Sequence, residues 1–188
     1  MLLSQALVEL TKTKNESKLD SMLIVASIIT KLLEPKNIKP IIVGGLSVEI
    51  YTMGDYTTRD IDFVSDGYKE IEDLLYSLEF SKQGRHFYRD DIEIVIEIPD
   101  SYLAGSLEKV LKMKISDSRY VYVESVEDII LDRLRAAVHW KSAEDAVWGF
   151  TLMVKNFENI DVAYLKNHIE SVQERAELEN WIFRITKE

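Results

Sequence analysis

The sequence predicts an α/β fold of the α+β type, in which helices flank a mixed β-sheet of about five strands. Three observations predict it. Apolar residues recur at helical spacing near the amino terminus, short apolar or alternating segments follow between residues 41 and 123, and the remainder has the pattern of helices. We expect residues 1–124 to form the α/β core with its amino-terminal helices, and residues 125–188 to form a helical region packed on that core.

Two helices are predicted before the first strand. The first runs from Ser4 to about Thr13 and is broken by the residues KNES. Asn15 or Ser17 is a suitable N-cap for the second helix, because a side-chain oxygen there can accept from a free backbone N–H. That helix continues to about Glu34, and a loop with two prolines follows it.

A short strand, a helix and a second strand are predicted next. The residues IIV at 41–43 are fully apolar and end at Gly44-Gly45. The segment LSVEIYTMG predicts a short helix closed by Gly54, since glycine is favoured where a helix ends. The residues IDFV at 61–64 form the second predicted strand.

The remaining strands are predicted as two antiparallel pairs. After an amphipathic helix (YKEIEDLLYSLEF), residues 85–90 and 92–98 alternate with period two around a tight turn at Asp90-Asp91, and Pro99 ends the second strand. The segments VLKMKI and RYVYV form the other pair around SDS. Ser125 with Asp128 then resembles a capping box and begins the helical region.

Composition excludes several classes of function. A net charge of −10 argues against duplex DNA as a partner, because phosphate neutralisation supplies most nonspecific affinity. With no cysteine, the chain has neither disulfides nor a thiolate metal site. The amino terminus lacks the pattern of a signal peptide, and no apolar run reaches the roughly 18 residues of a membrane span. We therefore expect a cytoplasmic location and no membrane partner.

An acidic pair precedes the apolar part of the second strand. Asp60 and Asp62 project to the same side of a strand, while Ile61 points to the opposite side. Two like charges at ~4 Å cost roughly 4 kcal/mol at an effective dielectric of about 20. A bound Mg²⁺ (or Mn²⁺) reverses that effect, and Mg²⁺ combines one or two protein carboxylates with phosphate oxygens. The alternative is a solvated strand end at which the pair occurs by chance.

The two glycines before the short helix suit a phosphate. Without side chains, Gly44 and Gly45 allow a ligand to approach the backbone closely. The N–H groups of the following helix terminus favour an anion, and Ser47 adds a hydroxyl. The alternative is a tight strand–helix turn that requires glycine for steric reasons only.

A third acid lies on the later alternating strand. Glu93, Val95 and Glu97 share one face of the segment DIEIVIEIPD, and four isoleucines share the other. We favour Glu97 as the third carboxylate of a metal site, because Glu93 is nearer the turn. An exposed strand face is the alternative for either residue.

A glycine pair, a short helix, the residues TTRDIDFV and a later acidic strand together resemble the nucleotidyltransferase superfamily of the DNA polymerase β type. The match covers roughly residues 40–155 and is most similar to a small bacterial group that includes abortive-infection toxins. That group tends to have Ser or Thr shortly before the pair, as Thr58 is here. Its looser helical pattern is matched by Leu131, Arg133, Ala136 and Asp145.

The resemblance implies a nucleotidyltransferase-like fold and a metal-dependent transfer of NMP from an NTP to a hydroxyl. Asp60, Asp62 and Glu97 would be the catalytic metal ligands, although many relatives have Asp as the third acid. Arg59 would contact the triphosphate or else lie on the surface. The resemblance does not distinguish among a protein, a tRNA end and a small molecule as the acceptor. If the chain belongs to the toxin group, an antitoxin partner is expected. The alternatives are an inactive nucleotide-binding or interaction module on the same fold, and an acidic helical scaffold in which the pair is incidental.

Overall fold

The computed structural model describes residues 1–187, which contain eight α-helices and one seven-stranded β-sheet. The helices are α1 (Leu3–Lys12), α2 (Lys18–Leu33), α3 (Gly44–Tyr51), α4 (Tyr68–Ser77), α5 (Val126–His139), α6 (Ala143–Asn156), α7 (Val162–Asn167) and α8 (Val172–Lys187). The strands are β1 (Ile41–Val43), β2 (Asp60–Val64), β3 (Ser81–Gln83), β4 (His86–Arg89), β5 (Ile94–Asp100), β6 (Leu111–Ser116) and β7 (Arg119–Val123).

The strand order in the sheet is β3-β4-β5-β2-β1-β7-β6. The pairs β2–β5 and β1–β7 are parallel, and the other four pairs are antiparallel. The sheet is therefore mixed, as predicted. The two strands at its ends are β3 and β6, whose exposed residues include Lys82, Lys112 and Lys114.

The predicted number of about five strands is wrong. The strand that the sequence analysis did not name is β3, a run of three exposed polar residues without an apolar alternation. The predicted tight turn at Asp90-Asp91 is also wrong, because Arg89 pairs with Ile94 and leaves residues 90–93 as a longer connection. Pro99 does not end β5, which continues to Asp100.

Both predicted helix starts that depend on a serine are confirmed. Ser17 Oγ accepts from the backbone N–H of Asp20 at 3.1 Å, at the start of α2. Ser125 Oγ accepts from the backbone N–H of Asp128 at the same distance, at the start of α5. Each bond satisfies one of the N–H groups that a helix start leaves without an intrahelical partner.

The chain divides into two units. The first comprises Met1–Leu46 with Thr57–Glu124, and the second comprises Ser47–Tyr56 with the chain from Ser125 onward. The sequence prediction placed residues 47–56 in the first region, whereas they lie in the second unit. The division falls within α3, whose first three residues belong to the first unit.

In the first unit, one face of the sheet is apolar. Phe87, Ile96 and Ile61 are neighbours across β4, β5 and β2, and all three are fully buried. Helix α2 packs against β7, β6 and β2, and it also contacts α4. Because side chains alternate along a strand, the other face of β2 carries Asp60 and Asp62.

The second unit has its own apolar core. Trp181 of α8 is 1% exposed and packs with buried residues of α5 and α6. A Cβ added to Gly149 of α6 would stand 2.6 Å from Trp181 Cη2, so the glycine makes room for the indole. Arg133 pairs with Asp145 at 2.6 Å and links α5 to α6. No helix among residues 1–187 is both long enough and apolar enough to cross a membrane.

Candidate active site

A row of polar side chains crosses one face of the sheet in the first unit. Parallel pairing places Asp62 beside Glu97, and antiparallel pairing places Glu97 beside His86. Two residues away along each strand, Asp60 lies beside Val95, and Val95 lies beside Tyr88. Residues that are paired across neighbouring strands point to the same face of the sheet. The three predicted acids therefore lie on the same face of β2 and β5.

The Asp62 carboxyl has a raised pKa. Burial raises its pKa from 3.8 to about 6, with further upward contributions from the carboxylates of Asp60 and Glu97. The positive charges of Arg85 and His86 act in the opposite direction. The raised pKa follows from like charges in a half-buried site, and a divalent cation between them would favour the ionised form.

Gly44 makes room for the Asp62 carboxylate. Its backbone φ is +63°, and a Cβ on this residue would stand 2.6 Å from Oδ2 of Asp62. The two glycines are the first residues of α3 and do not form a separate turn before it. Gly44 is thus required by conformation and by the space that Asp62 occupies.

Glu97 is held by the guanidinium of Arg85 and the imidazole of His86. Arg85 Nε lies 3.0 Å from its Oε1, and His86 Nε2 lies 3.1 Å from its Oε2. The Glu97 side chain is only 9% exposed. Glu93, the other candidate for the third carboxylate, lies in the connection before β5 with φ +54° and is exposed. The structure therefore brings Glu97, and not Glu93, next to Asp62.

The other predicted residues have different surroundings. Thr58 donates its hydroxyl to Oδ1 of Asp60 at 2.7 Å and thereby orients that carboxylate. Arg59 is exposed, and Gly45 is partly exposed. Ser47 is fully buried and belongs to the second unit. The roles of Gly45, Ser47, Thr58 and Arg59 toward a nucleotide stay predictions.

Two cavities adjoin the Asp60 end of β2. One of about 560 Å³ is lined by Asp60, His86 and Tyr88 among others. The second, of about 710 Å³, is lined by Thr58 and Lys18, and both cavities include Arg59 and Tyr88. These volumes fall in the range of small-molecule sites. Of the three predicted acids, Asp60 lines the smaller cavity, while Asp62 and Glu97 line neither.

The donor chemistry of Asp60 and Asp62 suits Mg²⁺ or Mn²⁺, which take oxygen ligands and accept one or two protein carboxylates with phosphate oxygens. Among residues 1–187, no group of three or more Asp, Glu, His or Cys side chains is placed to hold one metal ion. Both oxygens of Glu97 are paired with Arg85 and His86 instead. The carboxylates of Asp60 and Asp62 have the chemistry that the ion requires, and the metal-ligand roles of Asp60, Asp62 and Glu97 stay predictions.

Sequence reasoning missed Arg85 and His86 as parts of this site. The alternation of residues 85–90 indicated that His86 and Tyr88 share a face, and the same period linked Val95 with Glu97. Placing His86 opposite Glu97 also required the length of the connection between β4 and β5. With the tight turn that the sequence predicted, the register would have been different.

The chain shares its fold with an antigenic nucleotidyltransferase-like protein from Paracoccidioides brasiliensis. The two are 16% identical, the match covers 92% of this chain and 90% of that chain, and the TM-score is 0.65. The prediction of a nucleotidyltransferase-like mixed α/β fold is thus confirmed, apart from the strand count.

Two structures of ANT(2'')-Ia are more distant. One is a crystal structure in complex with adenylyl-2''-tobramycin, with a TM-score of 0.48, 14% identity and a match over 81% of this chain and 94% of that chain. The other is a solution structure, with a TM-score of 0.45, 14% identity and a match over 85% and 90%. No protein-family model and no curated protein matches the sequence. The likeness to solved structures therefore defines the fold alone.

Proposed function

We propose that the chain is a Mg²⁺- or Mn²⁺-dependent nucleotidyltransferase that moves NMP from an NTP to a hydroxyl of an acceptor. One observation carries the proposal. Asp60, Asp62 and Glu97 lie on one face of two adjacent strands, and Gly44 leaves space for the Asp62 carboxylate. Acids of this kind beside a cavity, on a nucleotidyltransferase-like fold, fit a site for a metal–triphosphate complex.

Each acid has a proposed role. Asp60, oriented by Thr58, and Asp62 would hold the divalent cation, which when bound neutralises charge on the triphosphate. Glu97 would accept the proton of the acceptor hydroxyl or hold a second cation. The acceptor oxygen then attacks the α-phosphorus in line, its bond to phosphorus forms, and the bond to the departing pyrophosphate breaks. Gly44, Gly45 and Arg59 remain the candidates for contact with the phosphates, whereas the fully buried Ser47 is not one.

The test is transfer of label from an α-³²P-labelled NTP. The full chain is incubated with each labelled NTP, Mg²⁺ and a cell extract, and the labelled species is identified as protein, RNA or small molecule. The proposal expects label on one class of acceptor with the wild type and none with Asp60→Asn/Asp62→Asn. Transfer that is equal in the double variant would contradict it.

An inactive nucleotide-binding module is the second candidate, and a specific observation favours it. Both carboxylate oxygens of Glu97 are already paired, one with Arg85 and the other with His86, so the third acid is engaged. This candidate expects Mn²⁺-dependent binding of a non-hydrolysable ATP analogue that Asp60→Ala/Asp62→Ala abolishes, with no label transferred to any acceptor. An antitoxin partner stays a prediction, tested by copurification with the full chain.

A further inference from the structure

Arg85 is an exposed cation that contacts a buried anion. Its side chain is 76% exposed, while the Glu97 side chain it pairs with is 9% exposed. The cost of desolvating a charge falls on Glu97, and a buried carboxylate requires a positive partner. Arg85 supplies that partner while most of its own surface remains in water, so its departure requires little rearrangement.

The backbone position of Arg85 also allows movement. Gln83 pairs with His86, so Gly84 and Arg85 form the two-residue connection between β3 and β4. Gly84 has φ +62°, which is common in such hairpins. Arg85 therefore lies outside the strand pairing, whereas His86 is fixed in β4 directly opposite Glu97.

The charge of Arg85 acts on more than one acid. It pairs with Glu97 and also lowers the pKa of Asp62. A divalent cation at Asp60 and Asp62 would repel the guanidinium, and a bound triphosphate would offer it phosphate oxygens. The planar guanidinium matches phosphate with two parallel hydrogen bonds.

We propose that Arg85 is an exchangeable counter-ion of the acidic site, which pairs with Glu97 in the empty site and binds a triphosphate oxygen when a metal–nucleotide complex is present. This inference rests on the proposed function. It makes Arg85 a nucleotide-binding residue, while His86 continues to hold Glu97. If Arg85 only positioned Glu97, its removal would weaken metal binding. If Arg85 is an exchangeable counter-ion, its removal strengthens the binding of the metal alone.

The experiment measures two affinities by isothermal titration calorimetry. The first is that of Mn²⁺ alone, and the second is that of a non-hydrolysable ATP analogue at saturating Mn²⁺. The variants are Arg85→Gln, Arg85→Lys and a control, Lys114→Gln. Lys114 is 69% exposed and pairs with one carboxylate, that of Asp117, so the control removes a similar exposed cation elsewhere on the same sheet.

Arg85→Gln is expected to bind Mn²⁺ alone about two- to fivefold more tightly, the size of an exposed ion-pair contribution. It is expected to bind the analogue about tenfold or more weakly, the size of a hydrogen bond to a charged group. Arg85→Lys keeps the charge but not the planar fork, so its Mn²⁺ affinity should equal that of the wild type and its analogue affinity should be intermediate. Lys114→Gln should change neither affinity.

Two results would overturn the inference while the proposed function stands. They are weaker binding of both ligands by Arg85→Gln, and analogue binding equal to that of the wild type. If the wild type binds neither Mn²⁺ nor the analogue, the proposed function fails, and the inference fails with it. Circular dichroism and thermal unfolding establish that each variant is folded before the titrations.

Discussion

Gly44 and Asp62 fit together so closely that a methyl group on the glycine would stand 2.6 Å from the Oδ2 atom of the aspartate. The φ of +63° at Gly44 adds a conformational cost for any other residue. The glycine therefore sets the place of one of the acids on which the proposed function depends.

Gly44→Ala is expected to weaken Mn²⁺-dependent binding of a non-hydrolysable ATP analogue by about tenfold or more, because the added Cβ displaces a proposed ligand. Gly54→Ala is the control, since its φ is +87° and no atom would lie within 4 Å of the added Cβ. Both variants should lose about 1 kcal/mol of stability from backbone strain. Equal analogue binding by the two alanine variants would show that the clash with Asp62 is not important.

The pKa of Asp62 predicts how stability depends on pH. Because this pKa is about 6 in the folded state and 3.8 ordinarily, the folded chain binds more protons between those values. The free energy of unfolding should therefore contain a contribution that is present below pH ~4, falls as the pH rises toward ~6, and is absent above.

At pH 7 the ionised Asp62 carboxylate destabilises the folded state, because it is buried beside like charges. Asp62→Asn lacks this charge and should therefore lose the pH dependence and stabilise the metal-free protein at pH 7 by about 1–2 kcal/mol, after allowance for partial exposure. Urea unfolding at several pH values between 4 and 7, without divalent cations, measures the difference. The exposed Asp117→Asn should keep the wild-type pH dependence. An Asp62→Asn protein with an unchanged slope would contradict the assigned pKa.

The choice between the two glutamates of the DIEIVIEIPD segment can be tested directly. Glu97→Gln should reduce the affinity for the Mn²⁺–analogue complex by at least about tenfold, whereas Glu93→Gln should leave it unchanged. The reason is that Glu97 lies beside Asp62 in the sheet, while Glu93 lies in the connection before β5. Calorimetric titration measures this affinity for both variants. A larger loss of affinity in Glu93→Gln would contradict the choice of Glu97 as the third carboxylate.

The core of the second unit gives a prediction that is independent of function. Gly149→Ala would normally stabilise a helix by about 1 kcal/mol. Here the added Cβ would stand 2.6 Å from Trp181 Cη2 and 3.0 Å from Arg133 Cβ. We expect a net destabilisation of about 1–3 kcal/mol from overpacking, measured by chemical unfolding.

Val147→Ala is the control, because Val147 is on the same helix and is 58% exposed. Its free energy of unfolding should stay within about 0.5 kcal/mol of that of the wild type. A Gly149→Ala protein that is more stable than the wild type would show that the indole of Trp181 can move aside without cost.

Local patterns in the sequence predicted most of the fold. Ser17 and Ser125 are followed by apolar residues at helical spacing, which is enough to locate the starts of α2 and α5. The strand β3 is different, because its three exposed residues have no apolar face. It is a strand because β4 pairs with it, and a pairing between strands is not a property of either segment alone.

The same distinction applies to the site. Asp60, Asp62 and Glu97 were predictable because the side-chain period of two assigns each to a face from its own segment. Arg85 and His86 were missed because their contact with Glu97 depends on how β4 and β5 align, and that depends on the four residues between them. The burial of Ser47 was not predictable from the segment itself, which gave only a hydroxyl after two glycines.

The two outermost strands also have a consequence for behaviour at high concentration. Strands at the end of a sheet offer unpaired backbone groups to other molecules, and lysine there discourages such pairing because it would bring like charges together or bury them. The short β3 carries Lys82, and β6 carries Lys112 and Lys114 with an irregularity in its pairing after the second of these. We therefore expect these three lysines to oppose edge-to-edge pairing between copies of the sheet.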